Sequence, residues 1–462
     1  MRLTGRHLIP CLALALAGAG TLLAAPTGSA AESTAADPAT AHRVTAESTA
    51  ARPAALRTAF TPPMGWSSWS LIRTKPTEQN IEAQGLAMHT SGLQAHGYRY
   101  VNIDAGWSDH LDAYGRDAWN TTAFPDGIPA LAAYLHRLGL KFGVYLTPGI
   151  PKAAVAANLP IAGTPYHLAD IADTTQPGNT HDDSWRIDFG KPGAQEYIRG
   201  YANLLASWGV DYVKMDFVGP GGGLVPADDR PDMEAWHQAL QHTSRPIALE
   251  LSNSLSLADA AVWKANSNGW RIDGDIECYH CATVGLTDWA HVLKRFTDAP
   301  KWVSYGSRGG WNDLDSLEVG NGVNDGLTPD ERQSAMTLWA ISAAPLLLGT
   351  DLTALDPADL KLLTNDEVIA VDRAGRPAGP VSQATSQQVW FSKDADGGYT
   401  VALFNLGDAP ATVTADWSDL GAHGRSGRVR DLWTHQNLGV ADGGFSATLP
   451  AHGSRLLRVF VR

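Results

Sequence analysis

Short apolar runs alternate with longer amphipathic segments along most of the chain, from about residue 60 to about residue 355. The apolar runs have the length and the β-branched or aromatic content of buried strands, and the longer segments have the spacing of helices that bury one face. Strands are predicted at residues 100–103, 141–146, 212–215, 246–251, 269–272 and 302–305. Helices are predicted at residues 77–96, 128–138, 194–208, 233–243, 287–297 and 329–344.

This alternation of strands and helices is typical of parallel β/α units. The region carries no glycine-rich dinucleotide fingerprint. We therefore predict an α/β fold in which residues 59–355 form a closed (β/α)8 TIM-type barrel, in preference to a doubly wound sheet. Polar side chains at the downstream ends of the strands would then converge on one rim of the barrel.

The pattern changes after Asp351, where short strand-like runs are separated by turns rich in aspartate and glycine. The runs lie at residues 400–404, 411–414, 428–433, 445–449 and 454–460. Short strands at this spacing predict a compact antiparallel β-sandwich domain over residues 366–462.

The first residues have the signature of a secretory signal peptide, predicted over residues 1–31. Arg2 and Arg6 precede an apolar stretch that Pro10 interrupts, which favours a cleaved signal over a membrane anchor. Residues 32–58 are rich in alanine and threonine and have no apolar period, so they are predicted to be a disordered leader. We therefore expect a secreted, extracellular protein.

Composition fits an ordinary globular core, because 44% of the 462 residues are hydrophobic and 18% are charged. The net charge of −13 is unfavourable for binding nucleic acid or anionic membrane surfaces. The oligomeric state is not specified by these features.

Two cysteines remain after removal of the signal peptide, Cys278 and Cys281, since Cys11 leaves with it. In an oxidising compartment this spacing favours a small disulfide loop. A zinc site would need a fourth ligand beyond these two cysteines and His280, and a matching second cysteine pair is missing from the sequence.

Acidic residues follow several predicted strands and are the first candidates for chemistry. Asp216 has Lys214 two residues before it and hence on the same face of the strand, where an ammonium group favours an ionised carboxylate. Asp104 and Asp275 also follow predicted strands, and Asp273 lies two residues before Asp275. Two carboxyl groups about 5 Å apart are the arrangement of a retaining glycosidase. Each aspartate also has a structural interpretation, as a helix cap, a turn former or one half of an ion pair.

Six motifs occur in a single order: PPMGWSSW at 62–69, YVNIDAGW at 100–107, GLKFGVY at 139–145, WGVDYVKMD at 208–216, GGWNDLDSLEVGN at 309–321 and LWAISAAPLLLG at 338–349. Together they closely resemble glycoside hydrolase family 27, the α-galactosidase or melibiase family, over residues 60–460. The resemblance implies a retaining glycoside hydrolase that cleaves terminal α-D-galactosyl residues from oligosaccharides or polysaccharides. It implies no metal and no organic cofactor.

The resemblance also implies roles for individual residues. Asp216 matches the nucleophile of the family, and Asp275 matches its acid/base, four residues after the sugar-binding Arg271. Asp273 is the second candidate for the acid/base. The residues implied to contact the sugar are Trp69, Asp104, Tyr145, Lys214, Glu250 and Arg271, of which Glu250 has the loosest match.

One departure from the family pattern concerns the sugar that is bound. The α-galactosidases usually carry two adjacent aspartates where this chain has Asp104 and Ala105, and those aspartates hold the 4- and 6-hydroxyls of galactose. Loss of one polar partner would tolerate a sugar of another shape. The alternatives are therefore a β-L-arabinopyranosidase, an isomaltose-releasing α-glucan hydrolase, or a sugar-binding protein without catalysis.

Overall fold

Eight short parallel strands form the centre of the computed structural model, which describes residues 58–281, 285–422 and 424–462. The predicted signal peptide and nearly all of the predicted leader lie outside these residues. The eight strands are β1 Met64–Ser67, β2 Tyr100–Asn102, β3 Lys141–Leu146, β4 Tyr212–Met215, β5 Ala248–Leu251, β6 Gly269–Arg271, β7 Trp311–Asp313 and β8 Leu346–Leu348.

The strands are adjacent in chain order, and β8 pairs in parallel with β1, so that Met64 lies opposite Leu346. The remaining gap, between β7 and β8, is bridged by Leu317, which pairs in parallel with Leu348. The sheet thus curls back on itself, and all eight strands direct their carboxyl ends to one rim. The predicted TIM-type barrel is confirmed.

Helices follow the strands and cover the outside of the barrel. The α-helices of the described residues are Trp69–Ile72, Glu78–Thr90, Ile128–Arg137, Lys152–Ala156, Leu168–Ile171, Ala194–Trp208, Arg230–Leu240, Ala260–Asn266, Trp289–Trp302, Pro329–Ile341, Pro357–Leu363 and Asp366–Arg373. The helix Ala194–Trp208 shows why they form, because Ile198, Tyr201 and Leu205 lie on one face and are all buried. The helix Pro329–Ile341 begins with a capping box between Thr328 and Glu331.

One strand prediction is wrong. Residues 302–305 do not cross the barrel, because Trp302 ends the helix Trp289–Trp302 and its ring packs against Tyr305 at 6.0 Å. The seventh strand is β7, which starts at Trp311 after a turn at residues 307–310. The strands β1 and β8, of four and three residues, were not predicted from the sequence.

Two small sheets lie outside the barrel. A hairpin pairs Ser108–Leu111 with Asp117–Trp119, after β2. A second sheet joins Ile150–Pro151, Ala172–Pro177 and Ser184–Ile187, all between β3 and β4. The hairpin contributes Ser108 and Asp117 to the pocket at the rim, and the segment between the last two strands of the second sheet contributes His181 and Asp183.

The C-terminal part is antiparallel, as predicted. Its strands are β9 Gly379–Pro380, β10 Gln387–Lys393, β11 Tyr399–Asn405, β12 Ala411–Asp416, β13 Ser426–Asp431, β14 Gln436–Asp442, β15 Gly444–Leu449 and β16 Ser454–Val461. Strands β12 and β15 pair with each other, and the other six form one sheet. The helix Asp366–Arg373 precedes these strands, and the predicted domain start at residue 366 stays a prediction.

The C-terminal sheet packs on the last long helix of the barrel, Pro329–Ile341. Ser334 donates a hydrogen bond of 2.6 Å to the backbone oxygen of His452, and the indole of Trp433 donates one of 3.0 Å to Thr337. Among the described residues, no helix combines the length and the apolar content needed to cross a bilayer.

Candidate active site

A pocket of about 780 Å³ opens at the carboxyl ends of the barrel strands. Six of the predicted site residues line it: Trp69, Asp104, Tyr145, Lys214, Asp216 and Asp275. They come from segments that are far apart in sequence and that the parallel barrel brings to one rim. The pocket has the size of a small-molecule site, and its wall is rich in carboxylates and aromatic rings.

Asp216 follows β4 directly, and its backbone N–H donates a hydrogen bond of 2.8 Å to the oxygen of Leu146 on β3. The next residue, Phe217, has a left-handed backbone with φ of +56°. The chain therefore turns sharply after the strand, and this turn leaves the Asp216 side chain at the pocket wall.

Lys214 connects two of the acidic strand ends. Its ammonium group donates a hydrogen bond of 2.6 Å to Oδ2 of Asp104, and it also lies 5.9 Å from the ring centre of Tyr145. Burial by itself would lower the pKa of Lys214, but the carboxylates of Asp104 and Asp216 outweigh burial and raise the pKa above its ordinary value. Lys214 is therefore a permanent cation between two carboxylates.

Asp104 is held rigidly at the end of β2. Its backbone N–H donates to the hydroxyl of Ser68 at 2.8 Å, and its Oδ1 accepts the N–H of Ala105 at 2.8 Å. With Lys214 on the other oxygen, the carboxylate has one fixed orientation. The side chain of Ala105 lines the same pocket and offers no polar group.

Arg271, at the end of β6, is buried and holds Asp275 by a hydrogen bond of 2.5 Å from Nη2 to Oδ1. The same guanidinium donates at 3.3 Å to Asp315 and to Ser252. Burial would raise the pKa of Asp275, but Arg271 and the hydroxyl of Tyr279 outweigh it, and they hold the pKa well below its ordinary value.

Asp273 has a different environment. Arg295 donates to its Oδ2 at 2.6 Å, Lys294 contacts the other oxygen, and the N–H of Gly274 donates at 2.7 Å. Asp275 belongs to the described lining of the pocket, whereas Asp273 does not. Of the two acid/base candidates, the geometry favours Asp275.

Glu250 lies below the pocket, inside the barrel. It is buried at the end of β5, accepts a hydrogen bond of 3.2 Å from Tyr212, and faces a small inner cavity of about 30 Å³. Burial and the nearby Asp313 raise its pKa well above the ordinary value. Trp69, Asp104, Lys214 and Arg271 also border this inner cavity, but Glu250 is outside the described lining of the larger pocket.

Several residues of the pocket lining were not predicted from the sequence. Asn253 follows β5 with φ of +104°, and the rings of His181 and Phe217 stack at 4.6 Å. Glu277 and Tyr279 lie beside Asp275. An asparagine after a strand is a weak signal for a left-handed turn, whereas nothing in the sequence distinguishes Glu277 or His181 from other residues of the same type.

Glu277 is nearly fully buried and accepts a hydrogen bond of 2.7 Å from Ser70. Burial, together with the charges of Asp315 and Asp275, raises its pKa to about 7. Oxygens of Asp275, Glu277 and Asp315 lie within 4.8 Å of one another, which is close enough to share a metal ion. The guanidinium of Arg271 already contacts two of these three carboxylates and supplies positive charge there.

Cys278 and Cys281 form a disulfide with a Cα–Cα distance of 5.4 Å, as predicted. The bond closes a four-residue loop that contains Tyr279, two residues after Glu277. Because both sulfurs are joined to each other, they are not available as thiolate ligands for zinc.

Comparison with known proteins gives a consistent result. A family model described as alpha galactosidase A matches residues 61–175 and 165–374, and one described as the alpha galactosidase C-terminal beta sandwich domain matches residues 384–459. The chain is 34% identical to an alpha-galactosidase of Cyamopsis tetragonoloba, over 86% of this chain and 85% of that protein. It is 35% identical to an alpha-galactosidase of Coffea arabica, over 86% of this chain and 93% of that protein.

Two solved structures extend the comparison. A glycoside hydrolase family 27 β-L-arabinopyranosidase of Geobacillus stearothermophilus superimposes with a TM-score of 0.80 and 32% identity, over 88% of this chain and 98% of that one. Alpha-galactosidase I of Mortierella vinacea superimposes with a TM-score of 0.69 and 29% identity, over 87% and 98%.

Proposed function

Since the chain belongs to the α-galactosidase family, glycoside hydrolase family 27, we propose that it is a secreted retaining α-galactosidase. It would release terminal α-D-galactosyl residues from oligosaccharides or polysaccharides. The observation that carries this proposal is that Asp216 and Asp275 line one pocket, with the ammonium group of Lys214 near Asp216 and the buried guanidinium of Arg271 bound to Asp275. Two carboxyl groups in one sugar-sized pocket are the machinery of double displacement.

In the first step, the carboxylate of Asp216 attacks the anomeric carbon and forms a glycosyl ester. The bond from that carbon to the leaving oxygen breaks, and Asp275 gives its proton to the oxygen. Lys214, two residues before Asp216, places a positive charge near the nucleophile.

In the second step, the ionised Asp275 accepts a proton from water, the water oxygen attacks the anomeric carbon, and Asp216 is released. Arg271 stabilises the ionised form of Asp275 that this step needs. The same contact opposes protonation, so the first step gains from acidic pH, where more of Asp275 carries a proton.

The remaining residues hold the sugar. Asp104 and Lys214 present a carboxylate and an ammonium to hydroxyl groups, and Trp69 and Tyr145 supply aromatic walls. We propose that Arg271 contacts the sugar in addition to its hydrogen bond with Asp275. Glu250 borders the inner cavity, and the sugar contact predicted for it would have to be made from beneath the ring.

A second candidate is β-L-arabinopyranosidase activity. It is favoured by Ala105, which leaves the pocket without the second aspartate, and by the superposition on an enzyme of that description. A β-L-arabinopyranoside has the ring of an α-D-galactoside without the C6 hydroxymethyl group. It therefore needs no partner for the 6-hydroxyl, and the two candidates share one mechanism.

The test is a panel of three aryl glycosides, the α-D-galactoside, the β-L-arabinopyranoside and the α-D-glucoside, assayed with the mature protein. We expect the highest kcat/KM on the α-galactoside, and no turnover of any member by Asp216→Asn. A higher kcat/KM on either of the other two would replace the proposed substrate. If the protein bound sugar but turned over no member of the panel, we would conclude that it is a sugar-binding protein without catalytic activity.

We also propose that residues 1–31 direct export, with the catalytic barrel at 59–355 and the β domain at 366–462. Expression of the full chain in a secreting bacterial host, followed by N-terminal sequencing of the medium fraction, tests this. We expect a mature protein that starts near residue 31, and retention of the full chain inside the cells would contradict it.

A further inference from the structure

Both oxygens of Asp275 are already occupied by protein donors. Arg271 donates to Oδ1 at 2.5 Å, and the hydroxyl of Tyr279 donates to Oδ2 at 2.5 Å. An acid that protonates a leaving oxygen must bring that oxygen within hydrogen-bond distance of its own carboxyl. A donor that occupies the position from which this oxygen approaches must therefore give up its place when substrate binds.

The two donors differ in how firmly they are held. Arg271 is 4% exposed and is also hydrogen-bonded to Asp315 and Ser252. Tyr279 is 48% exposed, so it reaches Asp275 from the solvent side of the pocket. A leaving group also extends toward solvent, and Oδ2 is therefore the oxygen it can reach.

The direction of the Tyr279 hydrogen bond follows from its other partner. The indole N–H of Trp69 lies 2.7 Å from the Tyr279 oxygen, and an indole can only donate. The phenol accepts that bond, which leaves its single proton for Asp275. The guanidinium of Arg73 lies 4.8 Å from the Tyr279 ring centre and 5.5 Å from that of Trp69. This arrangement holds the ring at the pocket wall.

We propose that Tyr279 is a positioning residue whose hydroxyl occupies, in the free enzyme, the place that the leaving-group oxygen takes on Asp275. The Cys278–Cys281 disulfide, which encloses Tyr279, restricts the backbone that presents the phenol. The inference rests on the proposed acid/base role of Asp275. It adds that the ring of Tyr279 forms one wall of the leaving-group subsite.

The consequence is a difference between the free enzyme and its substrate complex. Several charged or titratable groups lie around Asp275: Arg271, Lys214, Glu277, Asp315, Tyr279 and, in the same pocket lining, His291. Tyr279 is the one among them that substrate would displace. Its hydrogen bond therefore lowers the pKa of Asp275 in the free enzyme and not in the complex.

The variant Tyr279→Phe tests this, with Tyr114→Phe as the matched control at an exposed tyrosine outside the described pocket lining. The profile of kcat/KM against pH reports the free enzyme, and the profile of kcat reports the complex. In Tyr279→Phe we expect the basic limb of kcat/KM to move up by roughly one pH unit, the value of one charge-assisted hydrogen bond. The kcat profile should stay where it is.

Two outcomes would overturn the proposal. If neither profile moves, the hydroxyl does not act on Asp275. If both move together, the phenol stays on Asp275 in the complex and the leaving group binds elsewhere. The double variant Cys278→Ser/Cys281→Ser should move the pH profile of kcat/KM in the same direction as Tyr279→Phe. An unchanged profile would show that the disulfide is not needed to position Tyr279.

A readout independent of turnover separates this inference from the proposed function. In protein labelled with ¹³C at the aspartate carboxyls, Asp275→Asn identifies the Asp275 signal. We expect that signal to titrate at higher pH in Tyr279→Phe than in the parent protein. This result would stand even if no glycoside of the panel were cleaved, whereas coincident titrations would overturn the inference alone.

Discussion

Arg295 donates a hydrogen bond of 2.6 Å to Asp273, and both side chains are buried, at 1% and 6% exposure. This ion pair ties Asp273 to the helix Trp289–Trp302, away from the described lining of the pocket. Asp275, two residues later, lines the pocket instead. The two carboxylates are neighbours in sequence, and their environments predict opposite consequences of substitution.

Replacement of Asp275 by alanine should impair catalysis in a way that depends on the leaving group. Aryl glycosides with acidic phenols leave without protonation, so they should lose little in kcat/KM, which reports the first step. Alkyl glycosides or oligosaccharides need the proton and should lose about 10²- to 10⁴-fold. The measurement is kcat/KM over a series of leaving groups of rising pKa, and equal losses across the series would contradict the assignment.

Replacement of Asp273 by alanine should instead lower stability, because the guanidinium of Arg295 would remain buried without its partner. The expected loss in the free energy of unfolding is roughly 3 kcal/mol, typical of a broken buried ion pair. Urea denaturation measures it, and Asp298→Ala, which removes a partly exposed helix-surface pair with Lys301, serves as the control. Unchanged stability together with a leaving-group-dependent loss of activity would make Asp273 the acid/base.

The candidate active site could be predicted in part, because its acidic residues lie at the ends of strands. Asp104 and Asp216 directly follow apolar runs, and any parallel barrel brings such positions to one rim. The Arg271–Asp275 pair was found by the same principle and by the resemblance of its motif.

The rest depends on contacts that no local pattern encodes. Strand β8 follows the apolar helix Pro329–Ile341 after only a few residues, so the hydrophobic run does not show where the helix ends. Tyr279 meets Trp69 only because the barrel brings together residues 210 positions apart. Glu250 was predicted to contact the sugar, but it lies within β5 and borders the inner cavity below the pocket. The sequence does not show where β5 ends relative to the pocket.

Introduction of an aspartate at Ala105 should shift the substrate preference toward galactosides. The new carboxylate would lie beside Asp104 at the pocket wall and could accept a hydrogen bond from a hydroxyl of the C6 group. We expect the ratio of kcat/KM for the α-galactoside to that for the β-L-arabinopyranoside to rise about tenfold. The neutral Ala105→Asn is the control of similar size. A falling ratio would show that this wall does not face C6.

The stability of the protein should decrease as the pH rises through the weakly acidic range. Burial raises the pKa of Glu277 to about 7 from an ordinary value of 4.5. Below pH 4.5 the group is protonated in both states, and between pH 4.5 and 7 it ionises in the unfolded chain first, which favours unfolding. Asp232, raised to about 7, and Asp313, raised to about 6, act in the same direction.

Glu277→Gln isolates the contribution of this residue, because glutamine keeps an acceptor for Ser70 and does not ionise. The variant should lose less stability than the parent between pH 4.5 and 7, by roughly 3 kcal/mol, since a pKa difference of one corresponds to about 1.4 kcal/mol. Urea denaturation at pH 4.5, 6 and 8 provides the comparison. Parallel pH dependences in the two proteins would contradict a raised pKa at Glu277.

The stereochemistry of the first product tests the central claim most directly, because it depends on both Asp216 and Asp275 and on the identity of the sugar. Hydrolysis of an aryl α-D-galactoside is followed by ¹H NMR before the released sugar mutarotates. Double displacement at Asp216 predicts α-D-galactose as the first product, with the β anomer growing in only at the rate of mutarotation. The β anomer appearing first, or no hydrolysis of the α-galactoside, would contradict the account.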